Sequence, residues 1–381
     1  MLLEPVPRER PTLTIIIPVY ENYGKIHNLL ASINFRYRTI FNFEILVIDE
    51  TNDDRFRDYM VEWTSLYPDK IYYFNSQQFS YSWGSAIAFG IKKSYGHFIK
   101  IMDVNDTFVF FEFTNYIKIL NSLISNNKTK KPDLIISSFE YYHDVEHLGT
   151  NKYFPGAKSK KTKFIDGEKL KLKESISHHA LTFSREILQH AKEIPSDLFF
   201  TDAPLIQDIL QHTKKIAITS KELIFLKFHI TNNKVIFANY LHRKHENLKE
   251  TLLYILDHMH VNNKNSINVS NNIVKITESF IYTMFLLIIT NEKLFHVQKK
   301  NEINDLISFI EKKYKNKFNI KWIKHVTKFG REIISTNDNE KLIRIYKKLL
   351  NEIYGKNWKF FNFEIQKNIN DLKKKNNNIK N

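Results

Sequence analysis

Apolar runs and amphipathic stretches alternate through the first third of the chain. Leu13 to Val19 (LTIIIPV) is an almost unbroken β-branched run, the pattern of a strand buried on both faces. Pro18 and the polar Tyr20-Glu21-Asn22 close it, and Lys25, Leu29, Leu30 and Ile33 then recur at the spacing of one helical face. Phe43 to Ile48 (FEILVI) is a second buried strand, running into Asp49 and Glu50. Arg55 to Tyr67 predicts a helix, Ile71 to Phe74 a third strand, and Ser82 to Ser94 another helix. Gly90 to Phe108 (GIKKSYGHFIKIMDVNDTF) reads as that helix's end, a tight turn at Gly96, a buried strand Phe98 to Met102, and a polar acidic cluster. Four alternations of strand and helix imply parallel pairing in an α/β sheet.

Further along, Phe113 to Ile124 predicts a helix and Asp133 to Tyr142 a strand, while the basic stretch Lys152 to Lys173 reads as a loop or β excursion. His178 to Phe183 reads as a short strand, followed by a helix from Ser184 to Ala191 with Ser184 as its N-cap. A helix starting at Asp202 precedes two strands, Lys214 to Thr219 and Leu223 to His229. Beyond about His245 the pattern is helical, and it ends in the low-complexity tail Lys373 to Asn381. The expected division is an α/β domain over 1–245 and a helical domain over 246–381.

With 381 residues, 43% of them hydrophobic, the chain can bury two cores. Cysteine is absent, which excludes disulfides, thiolate metal sites and cysteine nucleophiles. The net charge of +16 is concentrated late: from Glu246 onward 25 Lys and Arg face 14 Asp and Glu. Such a region suits an anionic membrane face, acidic polymers or nucleic acid, or is simply a solvated helical surface. No helix-turn-helix or RNA-binding signature accompanies it, which ranks nucleic acid last. Lysines interleaved with Phe318, Ile320, Trp322 and Ile323 fit a membrane interface, and equally a helical bundle. The start MLLEPVPRER lacks the form of a signal peptide, and the most apolar later run, Phe280 to Thr290, falls short of the roughly 20 residues that span a bilayer. A cytoplasmic protein, soluble or peripheral on the inner face of the plasma membrane, is expected.

A strand that delivers Asp103, Asn105 and Asp106 at its C-terminal end places oxygen ligands where open α/β sheets bind nucleotides. Such ligands suit Mg2+ or Mn2+, and these ions suit diphosphates. Acids after a strand also cap the next helix, and Asp202 at a helix start has the same alternative. Asp53 and Asp54 read as a solvated turn. His178 and His179 are site residues or core histidines, and Trp83 stacks on a ligand or packs in the core.

Four features in fixed order carry a family resemblance: IIIPVYEN (15–22), LVIDETNDD (46–54), GIKKSYGHFIKIMDVND (90–106) and FTDAPLIQDIL (200–210). Over about residues 12–245 the chain resembles the family 2 glycosyltransferases, inverting enzymes of the GT-A fold that use nucleotide sugars. The resemblance implies a Rossmann-like, mixed but mostly parallel sheet flanked by helices. It implies that Pro18, Val19 and Tyr20 line the nucleotide base pocket with Glu21 close by. Asp49 or Glu50 would accept hydrogen bonds from the base or ribose, and Asp103 would sit at the ribose. Asp103, Asn105 and Asp106 would hold Mn2+ or Mg2+ on the diphosphate, and Asp202 would be the catalytic base. Arg243, in the basic cluster His242 to His245, would grip the diphosphate or complete the metal site. The implied donor is a nucleotide sugar, a UDP-sugar first, and the implied acceptor a glycan or lipid-linked glycan of a bacterial envelope. The chain departs from the family pattern at Asn105 and Glu50 (Asp is usual), Thr51 (Gly), Ile87 and Ala88 (Arg-Asn), and Thr201 (Glu). These departures keep a catalytically inactive, nucleotide-sugar-binding relative in view.

Overall fold

The computed structural model describes residues 9–20, 23–33, 42–75, 83–109, 112–125, 131–143, 151–152, 162–172, 176–190, 198, 201–228, 245–258, 267–290, 296–314, 320–336 and 339–354. Two compact units emerge: residues 1–170 with 177–228, and residues 171–176 with 229–381.

In the first unit the apolar runs form strands where expected: β1 (Leu13–Val19), β2 (Phe43–Asp49), β3 (Ile71–Asn75) and β4 (Phe98–Ile101). They pair in parallel in the order β3-β2-β1-β4, with Val19 opposite Asp49 and Ile16 opposite Ile101. Every residue of β1, β2 and β4 is buried. Helices α1 (Ile26–Ser32), α2 (Asp54–Leu66) and α3 (Trp83–Lys93) supply the crossovers. Asp53 caps α2 by accepting from the Arg55 amide at 2.9 Å.

The second half of the sheet is mixed. It contains β5 (Asp106–Phe108), β6 (Leu134–His143), β7 (Asn151–Lys152), β8 (Lys163–Asp166), β9 (Leu181–Ser184) and β10 (Lys215–Phe228). The sheet continues from β4 as β9-β6-β10-β5, with β9 antiparallel to both of its neighbours and β10 parallel to β6. Helices α4 (Glu112–Ser125), α5 (Arg185–Leu188) and α6 (Asp202–His212) complete the unit.

Three expectations need correction. The two strands read between Lys214 and His229 are one, β10, whose polar middle is a register shift between Thr219 and Glu222 rather than a loop. His178 to Ala180 is a 3-10 turn, with β9 starting only at Leu181, because Ser177 Oγ caps the turn by accepting from the His179 amide. The helix after Ser184 is a single turn, its N-cap formed as expected by Ser184 Oγ accepting from the Ile187 amide at 3.1 Å.

In the second unit, α7 (His245–His258), α8 (Ile267–Thr290), α9 (His296–Tyr314), α10 (Ile320–Ile334) and α11 (Asn339–Tyr354) follow in order. All four others pack on α8, which contains the apolar run read as a buried helix. Ile281, Tyr282, Phe285 and Ile288 are each within 2% of full burial. Helix α10 buries Ile323, Val326, Phe329 and Ile333 while Lys324, Lys328 and Arg331 face outward, so the described apolar residues are spent inside the bundle. The side chains of Phe318, Ile320 and Trp322 lie outside the described set. No described helix is long and apolar enough to cross a membrane.

A buried polar network fixes the strand that reaches the site. Thr14 Oγ1 donates to Glu44 Oε1 at 2.6 Å and accepts from the Gly96 amide at 2.9 Å. The same Glu44 oxygen accepts from the Tyr95 amide at 2.7 Å, which ties β1 and β2 to the turn before β4. A methyl group on Gly96 would meet the Thr14 amide nitrogen and Oγ1 at 2.6 Å and the Phe98 carbonyl at 2.9 Å. Gly96→Ala is therefore expected to cost about 1–3 kcal/mol, the usual range for forced overpacking. Urea unfolding would show a lower midpoint with unchanged slope.

Candidate functional site

Strand β4 leaves the sheet beside β1, and β2 and β3 lie on the other side of β1. The strand order therefore reverses at the β1–β4 crevice, the place where open α/β sheets take ligands. Asp103 follows β4, and the turn after it closes by a hydrogen bond from the Asp106 amide to the Asp103 carbonyl at 2.9 Å. Asp106 is fully buried, and its Oδ2 accepts from the Asp103 amide at 3.1 Å and faces His179 Nδ1 at 2.9 Å. Asn105 Oδ1 and Asp106 Oδ1 are buried with no hydrogen-bond partner.

The second component is the turn His178–Ala180. Lys100, fully buried on β4, donates to the carbonyls of His179 at 2.9 Å and Leu181 at 3.1 Å, which pins this backbone beside β4. Burial brings its ammonium down to about 7, against the opposing pull of Asp106. The two histidine rings lie 3.9 Å apart, and Trp83, at the start of α3, meets His178 edge-on at 5.4 Å.

The third component is the first turn of α6. His178 sits between two carboxylates, Nε2 being 3.7 Å from Asp103 Oδ1 and Nδ1 3.6 Å from Asp202 Oδ2. Asp103 and Asp202 keep about a third of their side-chain surface open, at 34% and 37%, whereas His178 keeps 8%. Burial alone would lower His178, but Asp103 and Asp202 raise it to about 10. Burial would raise Asp103, yet His178 and His179 hold its carboxyl down at about 2. Among the described residues, His178 is the ring that stands between these two carboxylates.

Asp49 and Glu50 end β2 on the same edge of the sheet but belong to a separate cluster. Asp49 is fully buried, with Oδ1 accepting from the Thr51 amide and hydroxyl at 2.7 Å each and Oδ2 from the Tyr73 hydroxyl at 2.5 Å. Burial and this contact raise the Tyr73 hydroxyl well above its ordinary value. Glu50 accepts from Ser85 Oγ at 2.9 Å. Pro18 and Val19 are buried at the end of β1, and Tyr20 is half-buried at its exit. Glu21 and Arg243 lie outside the described residues.

Residues 14–189 match the family described as Glycosyl transferase family 2. This segment is a family 2 glycosyltransferase domain. Solved structures extend the likeness in fold. The crystal structure of S. aureus TarS 1-349 is 15% identical, with a TM-score of 0.54 over 88% of this chain and 89% of that one. The same segment of TarS in complex with UDP gives the same values. The longer S. aureus TarS structure is 13% identical at a TM-score of 0.50, matching 88% of this chain and 54% of that one. No curated protein matches the sequence.

The first unit thus brings together Asp103, Asp106 and Asp202, while Asp49 and Glu50 shape the end of the neighbouring strand. His178 and His179 stand at the centre of the group, although the sequence left them as site residues or core histidines. A clue was available in Asn105: where an acidic motif lacks a carboxylate, other donors close in space take on interest. Asp103, His178 and His179 each offer one donor atom, all within 4.8 Å of one another. Two ligands at about 2.1 Å from one ion lie about 3 Å apart when adjacent and about 4.2 Å apart when opposite. The observed Asp103–histidine separations of 3.7 and 3.8 Å fall between, so these residues fit a divalent cation.

Without a metal, the charged His178 stabilises the fold. Its contribution is present in full below the ordinary histidine value near 6.5 and is lost as pH rises toward 10. Unfolding of the metal-free protein and of His178→Gln, compared in urea across this window, should show their stability difference shrinking as pH increases.

Proposed function

We propose that the domain transfers a hexosyl or N-acetylhexosaminyl group, with inversion, from a nucleoside diphosphate sugar to a hydroxyl of a glycan or lipid-linked acceptor. The setting we assign is bacterial envelope polysaccharide synthesis on the cytoplasmic side of the membrane. The observation that carries this reading is the pair of partly open carboxylates, Asp103 and Asp202, on either side of His178. One belongs to the strand exit where a diphosphate would lie, the other to a helix N-terminus on the opposite side of the imidazole.

In this reading Asp202 is the general base. It stands in the first turn of α6, where the helix dipole puts partial positive charge. Asp202 takes the proton of the acceptor hydroxyl as that oxygen bonds to the anomeric carbon. The bond from that carbon to the diphosphate oxygen breaks on the other face, and its electrons leave with the nucleotide. Holding both substrates in line supplies much of the rate. Mn2+ or Mg2+ at Asp103 would neutralise charge on the departing diphosphate. Tyr20 and the residues ending β1 and β2 form the wall for base and ribose, with Asp49 acting there through Thr51 and Tyr73. Because the TarS structure of similar fold is a complex with UDP, UDP-sugars are the first donors to try. The outward basic face of α10 favours peripheral attachment to anionic lipid by charge rather than by insertion.

Two measurements test this. Asp202→Asn should lower transfer about 10²–10⁴-fold while donor binding persists, the range typical of losing a general base. Equal rates for both proteins would remove Asp202 from the chemistry, and absence of any donor-induced rise in melting temperature would remove the transferase reading. Sedimentation with phosphatidylserine vesicles should show binding at low salt that disappears at high salt. Binding that survives high salt would contradict attachment by charge alone.

A further inference from the structure

We propose that Asp103, His178 and His179 form a preassembled metal site whose two imidazoles make it prefer Mn2+ and Co2+ to Mg2+, and that it is filled before any nucleotide binds. The proposal deepens the transferase reading and rests on it only for what the ion is used for. It differs from the ligand set read from the acidic turn, since Asn105 and Asp106 drop out as direct ligands.

The argument starts with the orientation of His179. Its Nδ1 lies 2.9 Å from Asp106 Oδ2, and a fully buried carboxylate accepts there, so Nδ1 carries a proton and Nε2 is the ring atom left to bind a metal. That Nε2 faces Asp103 Oδ2 at 3.8 Å, too far for a hydrogen bond. A carboxylate on the far nitrogen of a ligating histidine is the usual outer layer of a protein metal site. His178 also stands between two carboxylates, with Asp202 3.6 Å from Nδ1 and Asp103 3.7 Å from Nε2, neither at hydrogen-bond distance.

The second observation is independent of this geometry. His178 is only 7% exposed, yet neither of its ring nitrogens has a hydrogen-bond partner. Buried polar atoms are nearly always hydrogen-bonded, and an exception calls for an explanation. A cation held between Nε2 of each ring and the Asp103 carboxylate accounts for Nε2, and the Asp202 carboxylate faces Nδ1. The main chain is already in place for such an ion, because Lys100 anchors the carbonyls of His179 and Leu181 and the Asp103–Asp106 turn is closed.

Selectivity follows from ligand chemistry. Mg2+ binds through oxygen and gives up water reluctantly, whereas imidazole nitrogen suits transition ions. Two nitrogens in a set of three protein donors therefore disfavour Mg2+. Asn105 can then differ from the family's aspartate without loss of the ion, because its carbonyl oxygen is not needed.

The test uses the full-length chain without nucleotide. Calorimetry should show one Mn2+ per chain, bound at least tenfold more tightly than Mg2+. Electron spin echo measurements on the bound Mn2+ should show coupling to imidazole nitrogen. His179→Ala should weaken Mn2+ binding at least tenfold, Asp106→Asn should weaken it by about 10–100-fold as outer-layer changes do, and Asn105→Ala should leave it unchanged. If a variant misfolds, the nitrogen coupling in the unaltered protein still decides. Absence of Mn2+ uptake, bound Mn2+ without nitrogen coupling, or loss of binding only in Asn105→Ala would each overturn the proposal. A parallel melting scan with UDP-sugars separates the two readings. Nitrogen-coupled metal without donor binding supports the site and sinks the transferase, and donor binding with oxygen-only metal does the reverse.

Discussion

A fully buried ammonium and a fully buried carboxylate hold the centre of this site from opposite sides. Lys100 fixes the main chain on either side of Ala180 through two carbonyls, and Asp106 fixes the His179 ring through Nδ1. Taking either charge out of water is expensive, and it is tolerable only with good hydrogen bonds and a nearby opposite charge. Asp106 supplies part of that for Lys100, whose charged form it favours. The two histidines inherit their placement from this arrangement. Their exposure is small, the Asp103 carboxylate lies 3.7 and 3.8 Å from the two rings, and Asp202 lies 3.6 Å from His178.

The mixed half of the sheet makes this convergence topologically accessible. In an all-parallel sheet, the segment before β9 would arrive at the wrong end of β4. Because β9 runs antiparallel to β4, its start lies beside the end of β4, and the histidine turn comes to the Asp103 exit. Strand β5 then pairs with β10, which anchors the acidic turn at the sheet's far side. The same chain reversal that breaks the parallel pattern therefore builds the site.

The parallel half was legible because buried parallel strands announce themselves as apolar β-branched runs, as in LTIIIPV and FEILVI. The mixed half was less so, for physical reasons that differ from element to element. Strand β5 has three residues, too few for any period, and its first residue is an aspartate that looks like a surface ligand until its burial is known. Strand β10 carries a polar interruption that reads as a loop in one dimension and is a bulge in three. Asp103 and Asp202 were legible as acids at element ends, whereas the engagement of Asp49 by Tyr73 depends on a strand pairing that sequence spacing does not encode. The histidines were visible as residues but not as partners of Asp106, 73 positions away.

The short segment Lys171–Ile176 belongs with the C-terminal unit although the chain on both sides of it belongs to the first unit. Within that unit the Leu172 amide donates to Asn272 Oδ1 at 2.9 Å, in the interior. Only Ser177 separates the segment from His178. The chain thus passes from one unit to the other three times. A protein shortened after Phe228 would lose Asn272 and leave the Leu172 amide without this acceptor, six residues before His178.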